Sequence, residues 1–189
     1  MEPDPSQIYP VREDTLLLLG AAIAEAGPLD RVLEIGTGSG YIARHLVGKA
    51  ALIVATDVNP HACRAAASPG IGIARADLTA GIRGKFDLVL FNPPYLPTGP
   101  EERLDDWLEK ALDGGESGRD VIARLLPELP RVLAPGGRVL LVISEGTGVD
   151  EVLHLFTEAG LPAGIFRRER FEGEDLLVLK AICGPDRAC

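Results

Sequence analysis

Val32-Leu33-Glu34-Ile35 runs into Gly36-Thr37-Gly38-Ser39-Gly40 and then into Tyr41-Ile42-Ala43-Arg44-His45-Leu46-Val47. An apolar strand, a glycine-rich turn and a helix in that order form a βα unit. Such a strand is buried on both faces only inside a parallel sheet covered by helices. The chain of 189 residues keeps up the alternation. A leading helix is expected from Val11 to Ala26, ended by Gly27-Pro28. Strands are expected near 31–35, 51–56, 71–75 and 86–91, with helices near 40–47 and 60–67 between the first three. A polar connection over 95–118 is longer than usual loops, which marks a lid or binding loop, and Trp107 within it reads equally as lid or core plug. A helix near 119–133, broken or bent by Pro127 and Pro130, turns through Ala134-Pro135-Gly136-Gly137 into a strand over 138–144. A helix near 149–159 leads to strands near 163–170 and 175–182, joined by Glu172-Gly173-Glu174. The expectation is an α/β domain over 1–189, with 1–30 as its N-terminal segment and helix, right-handed parallel crossovers and one antiparallel strand at the end.

Polar residues close the strands. A glycine turn lets the backbone approach a ligand and sets a helix N-terminus beside it. The dinucleotide pattern G-x-G-x-x-G fails here, because Tyr41 stands where the third glycine belongs. The form acid-x-G-x-G-x-G, from Glu34 to Gly40, suits S-adenosylmethionine, which carries no phosphates. Asp57 ends the second strand, about 20 residues beyond the turn, where an acid takes a ribose diol. Asp77 follows the third strand, placed to accept from an adenine amino group while the Leu78 N–H reaches a ring nitrogen. Taken singly, either aspartate reads as well as a helix cap or turn residue.

The fourth strand, Phe86-Asp87-Leu88-Val89-Leu90-Phe91, ends in Asn92-Pro93-Pro94-Tyr95. Two prolines fix their own φ and push Asn92 toward an extended conformation. Proline has no N–H, so the carbonyls beside it need not join a ladder and can face a ligand. An amide oxygen and a carbonyl together accept both hydrogens of an –NH2 group. Pro-Pro alone reads as a strand-ending turn; its company at the ends of four successive strands makes a ligand crevice.

These motifs resemble the class I S-adenosylmethionine-dependent methyltransferases that act on amino groups. Within them the chain is similar to the HemK-like glutamine methyltransferases of peptide-chain release factors. Tyr9-Pro10-Val11-Arg12-Glu13-Asp14-Thr15 resembles that family's N-terminal segment, and Ala111-Leu112-Asp113-Gly114-Gly115-Glu116-Ser117-Gly118-Arg119 its loop after the catalytic strand. The similarity runs over roughly residues 8 to 182, and is to the shorter archaeal and eukaryotic members, which lack the helical domain of bacterial ones. It implies a Rossmann-like sheet of seven strands in the order 3-2-1-4-5-7-6, last strand antiparallel, with helices on both faces. It implies that Thr15, Glu34 and the Gly36 backbone hold the methionine end of the cofactor, with Gly38 beside them, Asp57 the ribose, and Asp77 with Leu78 the adenine. It also implies a small zinc-binding activator subunit. In that sheet order Ile71-Gly72-Ile73-Ala74 is an edge strand whose nearest charge is Arg75, and an edge of this kind invites strand addition by a partner.

Charge narrows the acceptor. Lys and Arg number 19 against 28 Asp and Glu, for a formal net charge of −9. Binding to duplex nucleic acid rests on phosphate contacts from a basic face, so the balance favours a protein substrate. The densest basic run, Arg167-Arg168-Glu169-Arg170, reads as a solvated edge. No run of 18 apolar residues appears and the N-terminus lacks signal-peptide order, which places the protein in the cytoplasm without a membrane role. Cys63, Cys183 and Cys189 show no metal-ligand spacing and read as reduced thiols, with a Cys183–Cys189 bridge as the alternative; no metal is expected. His45, His61 and His154 read as surface or packing residues.

The chemistry expected is in-line methyl transfer. The Asn92 side-chain oxygen and the Pro93 carbonyl hold the acceptor N–H groups, and Pro94 with Tyr95 walls the slot. Three readings stay open beside glutamine N5-methylation: adenine N6 methylation of nucleic acid, protein-lysine methylation, and a non-catalytic S-adenosylmethionine-binding subunit.

Overall fold

The computed structural model describes residues 2–99 and 106–184. Helix α1 (Glu13–Glu25) precedes β1 (Arg31–Ile35), α2 (Tyr41–Leu46), β2 (Leu52–Asp57), α3 (Pro60–Ala66), β3 (Gly72–Arg75) and β4 (Phe86–Phe91). There follow α4 (Trp107–Lys110), α5 (Asp120–Leu125), α6 (Leu129–Val132), β5 (Leu133–Ser144), α7 (Val149–Glu158), β6 (Ala163–Phe171) and β7 (Glu174–Ile182). The seven strands form one sheet in the order β3-β2-β1-β4-β5-β7-β6, the order implied by the family resemblance. β1 to β5 pair in parallel, and β7 runs antiparallel to both neighbours.

Each central strand is apolar on both faces because each face has its own layer of helices. Leu33, Ile35, Val89 and Phe91 point into one core, with Ile122, Leu125, Leu129, Val152 and Phe156 from α5, α6 and α7. Val32, Leu88 and Leu90 point into the other, against Leu17, Leu18, Ala21 and Ala22 of α1 and Ile42, Ala43 and Leu46 of α2. Cutting a side chain such as Leu33 to alanine in a core this full costs about 2–5 kcal/mol.

Polar anchors tie the first helix to the late strands. Arg138 on β5 reaches Glu25 at 3.2 Å and Asp30 at 2.6 Å, and Lys180 on β7 reaches Glu25 at 2.7 Å. All are largely buried, which makes removing one partner costly because the remaining charge stays dry.

Two elements and one cysteine depart from the sequence expectation. β5 begins at Leu133, not near 138. Leu133 pairs with Phe86 and Arg138 with Leu88, so Ala134-Pro135-Gly136-Gly137 forms an excursion within the strand instead of a turn before it. Backbone bonds between Gly136, Gly137 and Cys183 hold that excursion against the end of β7. The helix expected near 119–133 is two short helices joined by a 3-10 turn over Leu126–Glu128, because Pro127 and Pro130 each remove a helical donor. Cys63 is a free thiol, whereas Cys183 is disulfide-bonded, against the reading of three reduced thiols; Cys189 lies outside the described residues. Among the described residues no helix is long and apolar enough to cross a membrane.

Candidate active site

Because β1 to β4 are parallel, their carboxyl ends open on one side, and a cleft of about 710 Å³ lies there. Thr15, Glu34, Gly36, Gly38, Asp57, Asp77, Leu78, Asn92, Pro93, Pro94 and Tyr95 all line it. Residues far apart in the chain are therefore neighbours around one space.

One half is built on β1, β2 and the turn after β3. Gly36, Gly38 and Gly40 all have left-handed backbone, with φ of 64°, 54° and 76°, which glycine adopts without strain. Gly40 also abuts α3: a Cβ there would stand 2.7 Å from Ala66 Cα, which is why a glycine ends the turn one place early. Glu34 is 4 % exposed, and one carboxylate oxygen accepts from Thr37 Oγ1 and from the Ala43 N–H, each at 2.9 Å. Burial, outweighing those bonds, pushes its pKa up to about 7. Asp57 takes the Gly38 N–H at 2.9 Å on one oxygen and the Asn59 N–H at 2.8 Å on the other, and burial raises its pKa too. Each oxygen keeps a lone pair for a ligand. Asp77 is more exposed and pairs with Arg124 at 2.5 Å. Leu78 is buried with φ of 51°, an uncommon conformation for a residue with a Cβ.

The other half is built on the end of β4. Pro93 is buried, and Asn92 and Tyr95 are half-buried. Asn92 Oδ1 is out of contact with solvent and has no hydrogen-bond partner among the described residues. The Tyr95 hydroxyl donates to Asp14 Oδ2 at 3.0 Å, and the Tyr9 hydroxyl donates to the same oxygen at 3.0 Å. Burial, followed by the Asp14 charge, pushes both phenols well above the usual tyrosine range.

The N-terminal segment straps the mouth. Gln7 accepts through its backbone carbonyl from Asn59 Nδ2 at 2.7 Å and through its side chain from the Trp107 N–H at 3.1 Å. The connection after Tyr95 folds back on itself, with the Leu96 N–H bonded to the Leu112 carbonyl at 3.2 Å and the Gly114 N–H to Leu96 at 2.9 Å. Residues 100–105 of it lie outside the described residues. Trp107 is neither a core plug nor a free flap: it lines the cleft half-buried, with Arg75 5.9 Å and Lys110 4.9 Å from its ring centre. Sequence reasoning missed Tyr9 and Asp14 as a pair with Tyr95, and missed Gln7 and Asn59. The only local signal was that Tyr9 and Asp14 fall within one segment of the family resemblance.

These residues could hold a ligand with hydroxyl and amino groups along the first half and present an –NH2 group to the second. The protein has relatives of known kind. A Methanocaldococcus jannaschii protein, provisionally named a protein N5-glutamine methyltransferase, is 37% identical over 182 residues, 93% of this chain and 91% of that one. The human methyltransferase HEMK2 is 35% identical over 191 residues, 93% of this chain and 89% of that one. Among solved structures, the E. cuniculi Mtq2-Trm112 complex, described as responsible for methylation of the eRF1 translation termination factor, contains a chain 30% identical with a TM-score of 0.76. The match covers 94% of this chain and 99% of that one. No family model matches the chain.

Proposed function

The chain belongs to the HemK-like protein-glutamine methyltransferases, S-adenosylmethionine-dependent enzymes, and on that premise we propose that its acceptor is the glutamine of the Gly-Gly-Gln loop in a class I peptide-chain release factor. The observation that carries the reading is Asn92 Oδ1, a buried acceptor without a donor among the described residues. An unpaired buried amide oxygen costs about 1–3 kcal/mol, and an incoming N–H removes that cost.

The residues of the first half fit the cofactor. A buried carboxylate at Glu34 and a half-buried one at Asp57 suit hydroxyl and amino donors. The left-handed glycine turn brings backbone close to Asn92: a Cβ on Gly36 would stand 3.9 Å from its carbonyl oxygen. Thr15, Glu34 and the backbone of Gly36 and Gly38 would hold the methionine end, Asp57 the ribose, and Asp77 with Leu78 the adenine. S-adenosylmethionine, when bound, supplies a methyl group already activated by its sulfonium, so the protein's task is positioning.

The second half would do that positioning. Asn92 Oδ1 and the Pro93 carbonyl accept the two N–H bonds of the glutamine amide and so aim its nitrogen. They also stabilise the partial positive charge that grows there during transfer. Pro94 and Tyr95 wall the slot against the planar amide. The methylated nitrogen sheds its surplus proton readily, so no strong base is required.

The E. cuniculi relative was solved with Trm112, and a small activator subunit, zinc-binding by the family resemblance, is proposed here on β3. This strand ends the sheet, pairs only with β2, and has Ile73 half-buried against the core beside it. Ile73→Lys should abolish co-purification with such a subunit; retention would put the partner elsewhere. A release factor places the work in the cytoplasm.

The test is methyl transfer from labelled cofactor to release factor, its Gln→Ala variant, histone and DNA side by side. Label on the wild-type factor alone supports the reading. Label on histone points to lysine, label on DNA to adenine, and no label at all to a binding subunit.

A further inference from the structure

Tyr95 lines both the cleft and an adjoining cavity of about 290 Å³; Tyr9, Arg12 and Glu174 also border both spaces, and Phe171 walls the second alone. A half-buried ring that borders two open spaces is held less by packing than a core side chain. Pro94 restrains the backbone before it, yet leaves χ1 and χ2 of Tyr95 free.

A single carboxylate supplies the restraint. Asp14 Oδ2 accepts from the Tyr95 and Tyr9 hydroxyls, each at 3.0 Å. Oδ1 accepts from the Thr15 N–H at 2.5 Å and from Thr15 Oγ1 at 3.2 Å. A carboxylate has about four acceptor sites, and these four donors fill them. Asp14 is 3 % exposed and sits in the first turn of α1, where the helix N-terminus favours a negative charge.

We propose that Asp14 is the positioning residue of the acceptor slot, holding the Tyr95 ring at one angle with Tyr9 as a second strut. The inference rests on the reading of Asn92 and Tyr95 as that slot. It carries a chemical consequence. Asp14 engages the only proton of the Tyr95 hydroxyl, so the residue offers the acceptor a ring face and neither donates to it nor acts as a base. Burial, Asp14, Tyr9 and Glu174 raise Tyr95, and burial with Asp14 and Glu13 raises Tyr9 against Arg12. Both phenols therefore stay protonated donors at working pH.

The variants are Asp14→Asn, Tyr95→Phe and their combination. Asparagine keeps the shape of Asp14 but turns an N–H2 group toward donors, so one pair of bonds must break. Either single change should lower kcat/KM for the acceptor by roughly 10- to 100-fold, as expected for a misplaced slot wall. The double variant should lose no more than the worse single one, because both break one linkage. S-adenosylmethionine affinity should stay within about twofold of wild type in Tyr95→Phe, which leaves the bonds from Thr15 to Asp14 in place. Additive losses, or a slow Asp14→Asn beside a normal Tyr95→Phe, would make Asp14 a mere stabiliser of the helix and overturn the proposal.

A second readout needs no acceptor. The chain has three tyrosines, so ring-labelled protein gives three resonances. Those of Tyr9 and Tyr95 should titrate above the usual tyrosine range, and both should move down in Asp14→Asn, which removes the carboxylate facing them. Unmoved signals overturn the proposal. If the wild-type protein methylates no glutamine, the functional reading fails, and this titration still decides the role of Asp14.

Discussion

The two halves of the cleft treat their polar groups in opposite ways. Glu34 and Asp57 are wired into the protein, each already accepting two N–H or O–H donors, from the glycine turn, from α2 and from Asn59 after β2. Asn92, just past the end of β4, holds an oxygen with no donor among the described residues. The first arrangement is stable by itself, and a ligand adds bonds to groups that are already fixed. The second is higher in energy alone and relaxes only when an N–H arrives. On the proposed reading, the first half binds the cofactor and the second discriminates among acceptors.

The contrast breaks most visibly at Asp57. Asp57→Ala removes two charge-assisted bonds to the proposed ribose, each worth about 1.5–3 kcal/mol. S-adenosylmethionine affinity should then fall by roughly 150-fold or more by calorimetry. The same change strands the Gly38 and Asn59 N–H groups, so the melting temperature should also drop. Unchanged cofactor affinity would remove Asp57 from the site.

Asn92→Ala should do the reverse on both counts. Transfer should fall by roughly 100- to 1,000-fold, the scale of one lost transition-state donor or acceptor. Cofactor affinity should hold, and stability should hold or rise because an unpaired oxygen is gone. Near-normal turnover would sink the proposed role, and a large drop in melting temperature would mean that Asn92 is wired in after all.

Glu34 gives the smallest effect and the sharpest sign. A carboxyl raised to about 7 on folding binds its proton more tightly folded than unfolded. It therefore costs stability as pH rises from its ordinary value through 7, at most about 3 kcal/mol above that. Glu34→Gln should remove this cost and raise the melting temperature at pH 8 in the absence of ligand. If the ionised form holds the cofactor, wild-type affinity should fall roughly tenfold per pH unit below 7, about 30-fold by pH 5.5. The glutamine variant should be largely flat over that range, and a flat wild-type profile would exclude the ionised carboxylate as a ligand.

What the sequence made legible is the local part. The βα alternation, the glycine turn and the polar strand ends follow from residues a few places apart, so the cleft and most of its lining could be named. The sheet order came from resemblance, since nothing in a strand's own residues says which neighbour it takes. The start of β5 was misread because Pro135-Gly136-Gly137 has the composition of a turn, and only pairing of Leu133 with Phe86 across the sheet shows the strand beginning earlier. The bond from Tyr95 to Asp14 spans 81 positions and leaves no periodic trace. Asp77 looked like a free acceptor, but Arg124, on an element placed by folding alone, pairs with it.

The order β5-β7-β6 has a consequence in time. β6 leaves the ribosome before β7, yet β7 lies between it and the rest of the sheet. Until β7 is made, β5 ends the sheet as an unpaired edge through Val139, Leu140, Leu141, Val142 and Ile143, all 0 % exposed in the finished protein. Glu25 likewise waits for Arg138 and Lys180. At about 5–20 residues per second, roughly ten to thirty seconds of synthesis separate that helix from its last partner. The nascent chain thus spends its most aggregation-prone interval with a bare apolar strand edge. Its need for a chaperone should peak after β5 emerges and end once β7 pairs with it.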